Sequence, residues 1–358
     1  MYSLTLVIAA GLSAAGAEAV PFYADKLDLT YYLDASGARH PIASVQDWEI
    51  RREHVRAGLQ QVAGPLPSRE TLAPLDLQVE QEDDFPAYVR RKITFAVEPW
   101  DRLPAYLLIP KGKEGPLPAV LCLHPTADIG KGVVVGLGGR ENRQYAEELA
   151  AMGFVTLAPD YPGFGDYKDA RQRAYARGYT SMTMKGIWNH MRCVDLLQSL
   201  PEVDANRIGC IGHSLGGHNT LFVGLFDERV RVMVTSCGFT LFAKYKDGDL
   251  TGWTHDGYMP AIAETYGKDP AAMPFDFPDI LAALAPRTVF INAPVNDDNF
   301  DVSGVQDCVA AAQPVFALYG ANDRLIAVYP EAEHDFPDVE RHQAYACIRD
   351  ALAVPEEH

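Results

Sequence analysis

Arg207-Ile208-Gly209-Cys210-Ile211-Gly212-His213-Ser214-Leu215-Gly216-Gly217 is the stretch that decides how this chain reads. Residues 207–211 form a short apolar run of strand character, and Leu215–Phe226 has the composition of a buried helix. Between them lies the pattern G-x-S-x-G. A serine on such a sharp strand-to-helix turn sits in strained backbone, so the residues two before and two after it must be small. The turn exposes the hydroxyl and sets it at a helix N-terminus, where developing negative charge is favoured. Ser214 is therefore the candidate nucleophile, against the plainer reading of a glycine-rich connection.

Outward from this turn, short apolar runs alternate with helical stretches. The strand-like runs are 119–123, 155–158, 207–211, Val230–Ser236, Thr288–Asn292 and 326–329; the helical ones are 141–152, 184–200, Leu215–Phe226, 305–319 and 339–352. Strands that are nearly continuous in apolar residues and separated by helices imply a mostly parallel, doubly wound sheet buried on both faces, a three-layer αβα sandwich. Upstream, 87–97 and 103–109 read as two strands joined at Pro99-Trp100-Asp101, and 48–62 as an amphipathic helix. The long excursion 239–286, with Trp253, His255, Tyr258, Met259, Phe275 and Phe277, is expected to cap the strand ends.

A serine hydroxyl needs a base. In the chain order nucleophile, acid, histidine, the base follows the last strand, and His334 does so in Glu333-His334-Asp335-Phe336. His342 falls in the final helix, and His213 and His218 are expected to point away from the turn. Two segments compete for the acid. Asp323 lies eleven residues before His334, too few for a helix and a returning parallel strand. Asp297 lies thirty-seven before it, enough for both, so Asp297 is preferred and Asp298 is kept as the alternative. The oxyanion needs two backbone N–H groups. Leu215 supplies one, and Thr126 the other, because Pro125 has none.

Leu123-His124-Pro125, Ala158-Pro159-Asp160-Tyr161-Pro162-Gly163, the Ser214 turn and Glu333-His334-Asp335-Phe336 together resemble the α/β-hydrolases. The resemblance covers about residues 85–355 and is closest to the dienelactone-hydrolase-like and acetyl-xylan-esterase-like branches, which merge toward the prolyl oligopeptidases. It implies a serine hydrolase that cleaves a carboxylic ester through an acyl-enzyme. Two departures stand out: dienelactone hydrolases carry a cysteine where Ser214 stands, and Pro125 replaces a glycine common among relatives. A peptidase of the prolyl-oligopeptidase kind is one alternative, although the roughly 85 residues upstream cannot build its propeller. A non-catalytic binding protein on the same fold is the other.

The chain has 358 residues and a formal net charge of −17. That charge repels phosphate backbones, so nucleic acid is not an expected partner. No later stretch is apolar enough for a membrane span. The apolar run from Leu4 to Ala15, followed by Ala17-Glu18-Ala19, reads as a signal peptide over 1–19 and hence an exported protein, with a cytoplasmic one as the alternative. Residues 20–84 are then an N-terminal extension and 85–358 the catalytic domain. The six cysteines show no metal-ligand spacing; Cys308 and Cys347 are candidates for a disulfide on export. Neither glycine-rich stretch, Gly130-Lys131-Gly132 or Gly136-Leu137-Gly138-Gly139, is a phosphate loop, and both read as a flexible active-site loop. No metal and no cofactor are expected. The substrate is a small-molecule or carbohydrate ester, with His124, Trp253, Tyr258 and Met259 as candidate contacts.

Overall fold

A computed structural model describes residues 20–113 and 115–353. The expected signal segment, residues 1–19, lies outside them. In chain order the strands are β1 (Tyr31–Leu33), β2 (Arg39–Pro41), β3 (Gln78–Asp84), β4 (Tyr88–Glu98), β5 (Asp101–Pro110), β6 (Leu117–Leu123), β7 (Val155–Pro159), β8 (Val203–His213), β9 (Val230–Ser236), β10 (Thr288–Asn292) and β11 (Leu325–Val328). The helices are α1 (Val45–Ala63), α2 (Tyr145–Ala151), α3 (Ala170–Ala176), α4 (Met182–Ser199), α5 (Leu215–Phe226), α6 (Ala261–Glu264), α7 (Phe277–Ala283), α8 (Val302–Leu318) and α9 (Asp338–Ala351).

Nine strands make one sheet in the order β11-β10-β9-β8-β6-β7-β5-β4-β3. The six strands from β6 to β11 run parallel, and β5, β4 and β3 extend the sheet as an antiparallel meander beyond β7. The two faces carry separate apolar cores. One contains Trp48, Leu59, Ile187, Leu221, Phe277 and Phe316 from α1, α4, α5, α7 and α8; the other contains Tyr145, Leu149, Tyr345 and Ile348 from α2 and α9. This is the three-layer αβα arrangement.

Strand β3 escaped the sequence reading because Gln78-Val79-Glu80-Gln81-Glu82-Asp83-Asp84 is polar and exposed. It is an edge strand, held by charge pairs across to β4: Arg90 to Asp83 at 3.1 Å and Arg91 to Glu82 at 2.8 Å. Charged edges resist pairing with another chain. The N-terminal extension is no appendage. Helix α1 buries Trp48, Val55 and Leu59 in the main core, and the fully buried Arg51 pairs with Asp279 of α7 at 3.0 Å.

The excursion expected as a cap differs from a lid. Phe242, Trp253, Met259, Phe275 and Phe277 are all buried in the main core, and α7 packs on α1, α5 and α8. Its aromatic residues are part of that core, so their burial stabilises the domain itself. The glycine-rich stretch also departs from expectation. Gly130–Val135 is a buried 3-10 turn, with Val134 and Val135 in the second core, so it is a packed element and not a flexible loop. Cys308 and Cys347 are free thiols. They belong to cores on opposite faces of the sheet, a separation that no disulfide spans.

Candidate active site

The carboxyl ends of β8, β9, β10 and β11 bring the candidate residues together, as open parallel sheets commonly do. Ser214 joins β8 to α5 with φ 55° and ψ −116°, a left-handed conformation that L-residues avoid. Such a residue costs on the order of 1–3 kcal/mol and persists only where its surroundings enforce it. The enforcement is visible: Ser214 N–H donates to the Ser236 carbonyl at 2.8 Å, while the Ser214 carbonyl accepts from Gly217 and His218. The flanking glycines are sterically required. A Cβ on Gly216 would sit 2.0 Å from the Leu123 carbonyl oxygen, and one on Gly212 would sit 2.2 Å from that of Gly216.

Asp297 follows β10 and His334 follows β11, the neighbouring parallel strand. His334 Nδ1 lies 2.9 and 3.0 Å from the two carboxylate oxygens of Asp297. Asp297 also accepts from the N–H groups of Asn299 and Phe300. Burial pushes this carboxyl's pKa up, yet the hydrogen bond and charge of His334 and the two amides outweigh burial, and the group stays ionised below its ordinary value. Asp298 is exposed and Asp323 lies at the opposite, amino end of β11. Among the described residues, no hydrogen bond joins Ser214 Oγ to His334. Such contacts are often loose until substrate closes them.

The loop after His334 is held from behind. Asn292 Nδ2 and Cys237 Sγ both donate to the Asp335 carbonyl, at 2.9 and 3.2 Å, and Arg143 pairs with the Asp335 carboxylate at 2.8 Å. His213, expected to point away, instead lies against the base, its ring 4.9 Å from that of His334. Burial, with Arg143 and His334 nearby, holds the His213 pKa well below its usual value, so it is a neutral group. Strand pleat aims it to this side, and its Nδ1 is paired with Ser236 Oγ at 2.9 Å. Cys237 Sγ, Asp297 and His334 place one ligand atom each within 4.8 Å of one another. They come from three different strand ends, which no local spacing in the sequence reveals. The imidazole–carboxylate hydrogen bond within this group is an arrangement for moving a proton.

Leu215 opens α5, so its N–H has no partner within the helix and lies at the positive end of the helix dipole, next to Ser214. Thr126 is exposed in the loop after β6, beside the Tyr258 phenol. His124, a candidate substrate contact, is buried and has both ring nitrogens bonded within the protein. Its Nε2 accepts from Tyr161 N–H at 2.9 Å, which leaves Nδ1 protonated to donate to the Pro125 carbonyl at 2.7 Å. Burial lowers its pKa and keeps it neutral. Met259 is fully buried and Trp253 nearly so, hemmed in by His218, Phe242, Tyr245 and Phe300; only Tyr258 of the three is partly exposed. Bulky side chains in this segment were expected to wall a pocket, but the core claims two of them.

Known proteins resemble this chain as follows. A family model for glucuronyl esterase of fungi matches residues 167–320. The chain is 27% identical over 307 residues to the hydrolase YtaP of Bacillus subtilis (strain 168), across 82% of this chain and 97% of that protein. It is 25% identical over 217 residues to the 4-O-methyl-glucuronoyl methylesterase of Hypocrea jecorina (strain QM6a), across 53% of this chain and 44% of that protein, so it spans under half of that relative. Among solved structures, a glucuronoyl esterase from Solibacter usitatus has a TM-score of 0.71 at 20% identity, covering 95% of this chain and 100% of its own. With the strand order and the turn at Ser214, these likenesses lead to one conclusion: the chain is a carboxylic ester hydrolase with the α/β-hydrolase fold, similar to the serine esterases built on it.

Proposed function

We propose that Ser214, His334 and Asp297 form the catalytic triad of an exported esterase whose substrates are carbohydrate esters, with esters of a sugar acid of the glucuronoyl type first among them. The single observation that carries the triad reading is the contact of His334 Nδ1 with both oxygens of a buried, ionised Asp297, beside a serine held at positive φ. The substrate class is supported by the glucuronoyl esterases among its relatives.

In this reading His334 Nε2 takes the Ser214 proton as Oγ attacks the ester carbon. Asp297 fixes the tautomer and stabilises the imidazolium. The N–H groups of Leu215 and Thr126 bind the oxyanion, each worth about 3 kcal/mol in the transition state. Collapse of the tetrahedral intermediate passes the proton from His334 to the departing alcohol. Water, deprotonated by the same imidazole, then releases the acid from the acyl-enzyme.

The test has two arms. Ser214→Ala should leave folding intact and retain less than about a thousandth of the activity; greater retention removes Ser214 as nucleophile. A panel of alkyl glucuronates, acetylated sugars, p-nitrophenyl esters and peptide anilides ranks the substrate classes. Turnover of acetylated sugars above glucuronate esters would overturn the sugar-acid assignment, and turnover of anilides would favour a peptidase. Sequencing the N-terminus of the mature protein from culture tests export.

A further inference from the structure

The loop that carries Thr126 is tied at both ends to one short segment, Asp160 to Asp166, just after β7. On the near side, Tyr161 N–H donates to His124 Nε2 at 2.9 Å. In the middle, Gly165 N–H donates to the Asp128 carbonyl at 3.1 Å. On the far side stands a buried ion pair. Lys131 Nζ lies 2.6 Å from Asp160 Oδ2 and 2.7 Å from Asp166 Oδ2, and the Lys131 N–H donates to Asp160 Oδ1 at 2.9 Å. Asp166 N–H closes the ring on Asp160 Oδ2 at 2.9 Å. The backbone is moulded around that carboxylate: a Cβ on Gly130 or on Gly165 would come within 2.2 or 2.1 Å of Asp160 Oδ1.

A buried charge pair is an expensive way to hold two loops, since apolar residues of similar volume commonly do as well or better. Lys131 and Asp160 side chains are 2% and 0% exposed. What an ion pair with directed hydrogen bonds adds is a fixed geometry. The same segment also touches the other oxyanion donor, because Tyr161 and Phe164 pack in one apolar cluster with Leu215. Asp160–Asp166 therefore braces both walls of the oxyanion site from outside it.

We propose that Asp160 and Lys131 are positioning residues for the oxyanion hole, setting where the Thr126 N–H points. This rests on the assignment of Thr126 and Leu215 as donors. Neither residue touches substrate. Their effect is on the charge that appears only in the tetrahedral state, so it falls on kcat and spares ground-state binding.

The experiment measures kcat and KM on an aryl ester, together with inhibition by an alkyl boronic acid, whose anionic tetrahedral adduct on Ser214 occupies the same hole. In Asp160→Asn, kcat should fall about 10- to 100-fold, less than or equal to the loss of one whole donor, with KM within about twofold. The boronate inhibition constant should rise by a matching factor. Lys131→Met should behave alike and Lys131→Arg should recover most of the loss, a pattern that mere packing does not produce. A folded Asp160→Asn with unchanged kcat and boronate affinity overturns the proposal, as does a loss confined to KM. If the single variants do not fold, Lys131→Met/Asp160→Asn, which leaves no charge unpaired, carries the same readouts, and so does Asp166→Asn at the half-exposed end. No loss in either overturns it. Activity surviving in Ser214→Ala would instead sink the underlying triad, whatever Asp160 does.

Discussion

His213 and His334 lie with their rings 4.9 Å apart, yet only His334 faces a carboxylate. Two imidazoles at the nucleophile invite the question of which takes the proton. Burial and the Arg143 guanidinium keep His213 neutral, with its Nδ1 engaged by Ser236. His213→Gln, which likewise carries no charge, should keep kcat within about threefold of wild type, whereas His334→Gln should lose about 10³-fold or more. A loss in His213→Gln as large as that in His334→Gln would transfer the base to His213.

Asp297→Asn should lower kcat by about 10⁴-fold, because the amide presents the imidazole in the wrong tautomer. Asp298→Asn and Asp323→Asn should stay within about threefold, being exposed and remote from the ring. Steady-state kinetics on one activated ester decides it. A large loss at Asp298 would move the acid by one residue, and one at Asp323 would contradict the strand order.

Trp253→Ala should destabilise the protein by about 3–5 kcal/mol, since the indole is buried among Phe242, Tyr245, Phe277 and Phe300. Relative kcat/KM across an ester panel should be unchanged. Urea unfolding and the panel separate the two roles: altered ranking with intact stability would return Trp253 to the substrate pocket.

Stability should decline in mild acid because of buried histidines. Burial holds His190 and His218 down at about 3. The unfolded chain binds their protons near the ordinary 6.5, so their contribution is intact above that pH and is lost as pH falls from 6.5 toward 3. Each should remove about 2 kcal/mol between pH 6.5 and 5. In His190→Gln the fall in unfolding free energy over that window should be shallower by one histidine's share. An identical slope in both proteins would show that His190 is protonated in the fold.

What the sequence determined by itself was local or counted along the chain. The strand, the turn at Ser214 and helix α5 were legible because G-x-S-x-G records a steric need, now seen as carbonyl oxygens within 2.0–2.2 Å of any Cβ at Gly216 or Gly212. The pairing of Asp297 with His334 was legible because a parallel crossover has a minimum length, and α8 and β11 fill the interval between them. The tertiary structure alone decided matters of direction and of contact across the sheet. Asp297 and Asp298 are adjacent and chemically alike, and only the fold buries one and exposes the other. Trp253 and Met259 look the same in sequence whether they wall a pocket or fill a core. His213, Cys237, Asn292 and Asp335 meet because β8, β9 and β10 are neighbours, and Lys131 meets Asp160 because β6 and β7 are. Spacing along a chain fixes what one element can do; strand order fixes which elements share a site.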